Sequence, residues 1–221
     1  MAPRPPSNYR QLQAEMTKDR IVAAARRLMA ERGWVGTTID AIAEEAGVAT
    51  PTVYAAFGNK RSIVASMREG MLRDSKIPEL MEQAAAEPDA ARRLELWATS
   101  IRQQMETSYD IISIHRQAAS ADSEFAVEYR KVLDNRARHF AEFVRDLAGG
   151  LGPGIDARTA TDLLWALSNE ELYRELVEER GWSPDRYEQW LGRTLVDQLI
   201  DRPAAAARPR KRRGPNPRST R

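Results

Sequence analysis

The 221-residue sequence predicts an all-α protein of about nine helices. Three observations predict it. Alanine, leucine, glutamate and arginine dominate nearly every segment, and alternating β-branched runs are missing. Apolar residues recur at helical spacing. Glycines 33, 47, 58, 149, 150 and 181 fall where those periodic stretches stop. No internal repeat and no sheet are expected.

In chain order, the first helix is expected over about Thr17 to Arg32, with Thr17 as its N-cap. Ile21, Ala25, Leu28 and Met29 form its apolar stripe, and Gly33 ends it. A short second helix starts at Thr37 or Thr38, where Thr37 and Asp40 stand close to a capping box. Ile42, Ala43 and Ala46 turn inward, and Gly47 ends it. A third begins after Val48, carries Pro51 in its first turn and runs to Phe57. Gly58 breaks it, and a fourth runs from near Asn59 to about Ser75. Longer helices follow. Leu94, Trp97, Ile101 and Met105 line one face. Phe125, Tyr129, Val132, Phe140, Phe143 and Leu147 line another. Leu163, Leu164 and Leu167 follow the loop from Gly149 to Gly154, and Tyr187, Trp190, Leu191 and Leu195 mark a last helix after Ser183-Pro184. The expected organisation is a flexible basic arm over 1–16, a compact N-terminal unit over 17–75, a larger helical unit over 76–201 and a disordered basic tail over 202–221.

Composition narrows the function. The net charge of +2 hides an asymmetry: 11 basic against 8 acidic residues over 1–75, 15 against 24 over 76–201, and 8 against none over 202–221. Basic ends suit a polyanion, and an acidic middle does not. Cysteine is absent and the two histidines, His115 and His139, are far apart, so thiolate zinc sites and cysteine nucleophiles are excluded. No nucleophile-base arrangement, phosphate loop or metal spacing is present; neither enzyme activity, nor a metal, nor a cofactor is expected. No stretch reaches the ~20 apolar residues of a membrane span, and the first residues lack the apolar core of a signal peptide. A cytoplasmic location, with the nucleoid, is expected.

Two short helices joined by a tight Gly-Val turn, packed on a longer helix, match the helix-turn-helix plan. Ala43 is small enough for close approach, and Val48, Val53 and Phe57 point back to a small core. The exposed face keeps Ala49, Thr50, Thr52, Tyr54 and Ala55, short enough to enter a major groove. An ordinary three-helix core is the bland alternative. The stretch TTIDAIAEEAGVATPTVYAAFGNKRSIV resembles the signature of the TetR family of bacterial regulators. The resemblance lies in the Thr-Thr start, Ile42-Ala43, Ala46-Gly47-Val48, Val53-Tyr54, Phe57 and Asn59-Lys60, and extends over about 45 residues with the preceding helix.

The resemblance implies double-stranded DNA as partner, as a partly palindromic operator. It implies that Thr37 and Thr38 start the second helix, and that Thr38, Tyr54 and Lys60 hold backbone phosphates. Thr50, Pro51 and Thr52 would face base edges. The sequence departs from many relatives at Ala55, where an aromatic is common, and at Asp40, where some place a basic base reader. No Arg, Lys, Asn or Gln precedes Asn59 on the third helix, so base readout should be thin. Shape readout and the arm from Arg4 to Arg10 would supply part of the specificity.

The resemblance further implies a small-molecule effector and a homodimer. Trp97, Ile101, Met105, Phe125 and Tyr129 are candidates for a mainly apolar pocket, together with Phe140, Phe143 and Trp165. His115 and Asn169 would be its polar groups. Each of these residues would serve equally well as core, and His115 as a satisfied or exposed histidine. Leu164, Leu167, Trp190, Leu191 and Leu195 are candidates for a four-helix dimer interface; burial within one chain is the alternative. The expected function is a ligand-released repressor. Its rival is a DNA-binding helical protein with no ligand, architectural or partner-controlled. The basic tail is either a solvated extension or a source of nonspecific DNA affinity.

Overall fold

The computed structural model describes residues 7–200. Ten α-helices account for most of them: α1 (Ser7–Gly36), α2 (Ile39–Ala46), α3 (Thr50–Phe57), α4 (Lys60–Asp74), α5 (Ile77–Ala86), α6 (Ala90–Ala121), α7 (Ser123–Leu147), α8 (Ala157–Leu167), α9 (Glu170–Tyr173) and α10 (Pro184–Leu199). A 3₁₀ turn, Ala148–Gly150, follows α7, and a π-helical turn, Arg174–Glu179, continues α9. No strand forms among the described residues; Leu151 and Ile200 share one isolated bridge.

The first helix departs from the expected start. It begins at Ser7, so residues 7–16 are helical rather than a flexible arm. Residues 1–6 and the tail from 201 lie outside the described residues. Thr17 is not a cap, because its hydroxyl bonds back to the Gln13 carbonyl, one turn earlier, at 2.8 Å. The stripe of Ile21, Ala25, Leu28 and Met29 is buried as expected. Gly33 breaks the helix with φ 72° and ψ 173°, a conformation that a Cβ would strain. The kink turns Trp34 inward, where its ring meets Phe125 at 6.0 Å.

Two hydrophobic cores form, and their division is not the one at residue 75. The first joins α1 to α4 with Ile111, Ile114 and Ala118 of α6 and Phe125 of α7. The second joins Leu94, Trp97, Ile101 and Met105 of α6 with α7, α8 and α10. The break at Ser75-Lys76 does separate α4 from α5. But α6 is a wall of both cores, since a 32-residue helix is about 48 Å long at 1.5 Å per residue. At its far end Asp122 accepts from the amides of Glu124 and Phe125, starting α7. Tyr187 is fully buried in the second core, and its hydroxyl has no partner among the described residues.

Candidate nucleic-acid interface

The α2-turn-α3 unit is held from within and from α1. Thr38 caps α2: its hydroxyl oxygen accepts from the Ala41 amide at 3.1 Å. Ile42, Ala43 and Ala46 are buried. Gly47 takes the left-handed conformation, φ 65°, and the Val48 amide closes on the Ala43 carbonyl at 2.9 Å. The Arg20 guanidinium of α1 donates to the Ala46 and Gly47 carbonyls, pinning this turn. Pro51 sits in the first turn of α3, where no amide hydrogen is needed, and Val53 anchors the helix in the core.

That leaves a defined outward face. Thr38, Pro51, Thr52 and Ala55 are exposed, and Tyr54 is 53% exposed. Thr50 is half-buried, and its hydroxyl donates to the exposed Asp40 carboxylate at 2.8 Å. Asn59 caps α4 by accepting from the Ser62 amide at 3.0 Å.

Two expected DNA contacts are corrected. Thr37 is buried, and its hydroxyl donates to the Gly33 carbonyl at 2.9 Å, so it braces the kink and is not a capping-box threonine. Lys60 turns inward. Its ammonium donates to the carbonyls of Trp34 at 2.7 Å and Thr37 at 2.9 Å, and lies 4.0 Å from the centre of the Trp34 ring. Burial pushes its pKa down, against the pull of Asp122. Two of its three donors are thereby used inside the protein, where a phosphate anchor would keep them free. Arg61, next in sequence, is also engaged, with Asp122 at 2.8 Å and with Glu124.

The ten expected pocket residues do not converge. Phe125 and His115 lie at the first core, with Tyr129 packed beside them. Trp97, Ile101, Met105 and Phe140 are buried in the second core, with Phe143 and Trp165 packed against it. Trp97 meets Phe140 at 4.6 Å and Phe143 at 4.4 Å, and its indole N–H donates to Ser168 at 3.0 Å. Phe140 and Trp165 share the Arg136 guanidinium. Asn169 caps α9 by accepting from the Glu171 amide. These aromatics fill space for one another. His115 is buried, and its Nδ1–H donates to the Ile111 carbonyl at 2.8 Å, which fixes the tautomer of the neutral ring. Burial holds its pKa below the ordinary 6.5.

A broad cleft lies elsewhere. It holds about 1140 Å³ between α1, α4, the start of α5 and α6. Val22, Met67, Met71, Ile77 and Ile111 give it an apolar floor; Lys18, Asp19, Glu69 and Lys76 give it a rim of both signs. None of the ten expected residues lines it. At its edge Arg26 of α1 clasps α6, with two bonds to Asp110, at 2.6 and 2.7 Å, and one to the Thr107 carbonyl at 2.8 Å. Helical periodicity could not reveal Arg20 or Arg26, since their partners lie 26 and 84 residues away.

The dimer candidates also divide. Leu164, Leu191 and Leu195 are fully buried inside one chain, correcting their placement at an interface. Leu167 and Trp190 are half-buried against the second core, as is Leu163.

A pinned Gly47 turn, an exposed α3 face and an all-helical body define a helix-turn-helix protein. Residues 21–67, which span the second half of α1 through the first half of α4, match the family model for bacterial regulatory proteins of the tetR family. No curated protein sequence matches the chain. Among solved structures, the fatty acid degradation regulator FadR from Bacillus halodurans is similar, at 19% identity and a TM-score of 0.68, over 81% of this chain and 94% of that one. FadR from Bacillus subtilis, in complex with stearoyl-CoA, aligns at 20% identity and 0.66, over 80% and 96%. NalD from Pseudomonas aeruginosa, a repressor of a multidrug efflux pump, aligns at 24% identity and 0.66, over 85% and 98%. These likenesses establish the TetR-like all-α fold across both units. No described helix is long and apolar enough to cross a membrane, and no group of metal-ligating side chains occurs among the described residues.

Proposed function

We propose that the chain is a homodimeric transcriptional regulator acting on cytoplasmic DNA, a repressor released from a partly palindromic operator by a small amphipathic molecule. The observation that carries the DNA-binding part is the exposed face of α3 with the Thr38 cap and Tyr54 beside it. Thr38 and Tyr54 hold phosphates; Pro51 and Thr52 offer methyl and methylene groups to thymine and a hydroxyl to base edges. Dimerisation uses the outer faces of α8 and α10, where Leu163, Leu167 and Trp190 keep exposed area.

The effector reading moves from the aromatic core to the cleft. An apolar floor under a charged rim fits a molecule with an apolar body and a polar head. That is the chemistry of the stearoyl-CoA bound by the Bacillus subtilis FadR. A molecule seated there touches α1 and α4 on one side and α6 on the other, so it favours one placement of the DNA-binding unit over another. Only such a differential affinity shifts the equilibrium. The packing of Trp97 on Phe140 and Phe143 supports a second reading, a DNA-binding protein without a small-molecule ligand.

Selection of bound sequences from random DNA by the purified protein tests the main reading. A site with two related half-sites is expected, along with a mass in light scattering of twice the 24.9 kDa chain. A monomeric mass with no enriched sequence overturns it. Long-chain acyl compounds should then weaken operator binding, and a bulky Met71→Trp change in the cleft floor should abolish that response. Operator binding indifferent to every amphipathic compound supports the ligand-free reading.

A further inference from the structure

The α3 helix, TPTVYAAF, carries no charged side chain. The charge at its N-terminal end comes instead from α2. The Asp40 carboxylate is exposed and accepts the Thr50 hydroxyl at 2.8 Å, and Thr50 is the first residue of α3. In a helix-turn-helix that end of the second helix is the one brought to base edges. We infer that Asp40 reads a cytosine in each half-site, with Thr50 as its positioning residue. This rests on the DNA-binding reading above.

The chemistry follows from what a carboxylate can do there. It is acceptor-only. It makes no ion pair with any described residue, and only one oxygen is used, by Thr50. Phosphates repel it, so favourable partners must be base donors. The major groove offers two, the amino groups of cytosine and adenine. Cytosine presents its N4 amino group as a donor and no acceptor of its own. Adenine places the N7 acceptor beside its donor, facing the second carboxylate oxygen. Guanine offers acceptors alone, and thymine an acceptor and a methyl group. The bond from Thr50 holds the carboxylate in one orientation before DNA arrives, which reduces the ordering cost on binding. A first-turn carboxylate also suits the α2 dipole, so a merely structural role must be separable.

Sequence selection with the wild type and with Asp40→Asn, Asp40→Ala and Thr50→Val separates them, with thermal melting of each variant alongside. The wild type should require cytosine at one position of each half-site. Replacing that base should weaken binding on the order of ten- to a hundredfold. Asp40→Ala should lose the preference at that position and keep it at the others. Asp40→Asn, nearly isosteric, should shift the preference towards adenine, whose two edge groups an amide matches. Thr50→Val should weaken the cytosine preference while retaining it. Base preferences unchanged in Asp40→Asn and Asp40→Ala would overturn the inference, as would affinity raised equally for all sequences. A wild type that enriches no DNA overturns the regulator reading itself, and the inference with it.

Discussion

The two halves of α6 lie on one unbroken helix yet belong to different cores. From Leu94 to Met105 its buried side chains join α7, α8 and α10. From Ile111 to Ala118 they join α1 to α4, while Tyr109 and Ile112 on the other face still lean on the second core. The first half is a component of the larger unit. The second half is shared: Asp110 on it and Asp122 just past its end hold Arg26 and Arg61 of the N-terminal unit. The interface between units is thus internal to a helix, and motion of one unit must be accommodated along α6.

The largest effect should come from truncation on each half. Leu94→Ala and Ile114→Ala each remove a fully buried side chain and should cost about 2–5 kcal/mol. Hydrogen exchange should report where: in α8 and α10 for Leu94→Ala, in α1 to α4 for Ile114→Ala. Equal acceleration across both units in both variants would make them one cooperative core. Next, Thr38→Ala removes a cap outside the shared half and should cost about 1 kcal/mol in melting experiments while lowering operator affinity. Arg26→Ala opens the clasp to Asp110. Both partners are more than a third or about a third exposed, so solvent screening should hold the stability loss below about 1 kcal/mol. Its diagnostic is an altered effector response; a response identical to wild type would remove the clasp from the coupling.

The smallest effect is a slope. His115 titrates below its ordinary value because burial disfavours the charged ring. As pH falls, the unfolded chain takes up that proton first. Stability is therefore complete above the unfolded value, roughly pH 6.5, and declines from there towards the lower folded value. His115→Gln should flatten melting temperature over that interval, and an unchanged slope would assign the acid sensitivity to other groups.

The contrast also explains what could be read from sequence. In α2 and α3 each helix is two turns long and flanked by Gly47 and Gly58, so which side chains face inward follows directly from spacing. In α6 the same apolar period runs through both cores. Periodicity says that Trp97 and Ile114 are buried, not which neighbour covers each. Leu164, Leu191 and Leu195 failed as interface residues for that reason: an apolar stripe is the same whether its cover comes from the same chain or from another. Thr37 and Thr38 differ only in how the Gly33 kink rotates the chain. Arg20 and Arg26 acquire their roles from partners distant in sequence.

Lys60 shows what such a partner changes. A lysine that only neutralises a phosphate can be exchanged for arginine with little loss, because the guanidinium serves that purpose as well. The Lys60 ammonium sits between two carbonyls and a tryptophan face, a space that fits a compact point charge and not a planar fork. Exchange for arginine should therefore disturb the seat of Trp34 and, through it, the Gly33 kink. The residue acts as a bolt, and its intolerance of arginine distinguishes it from an anchor.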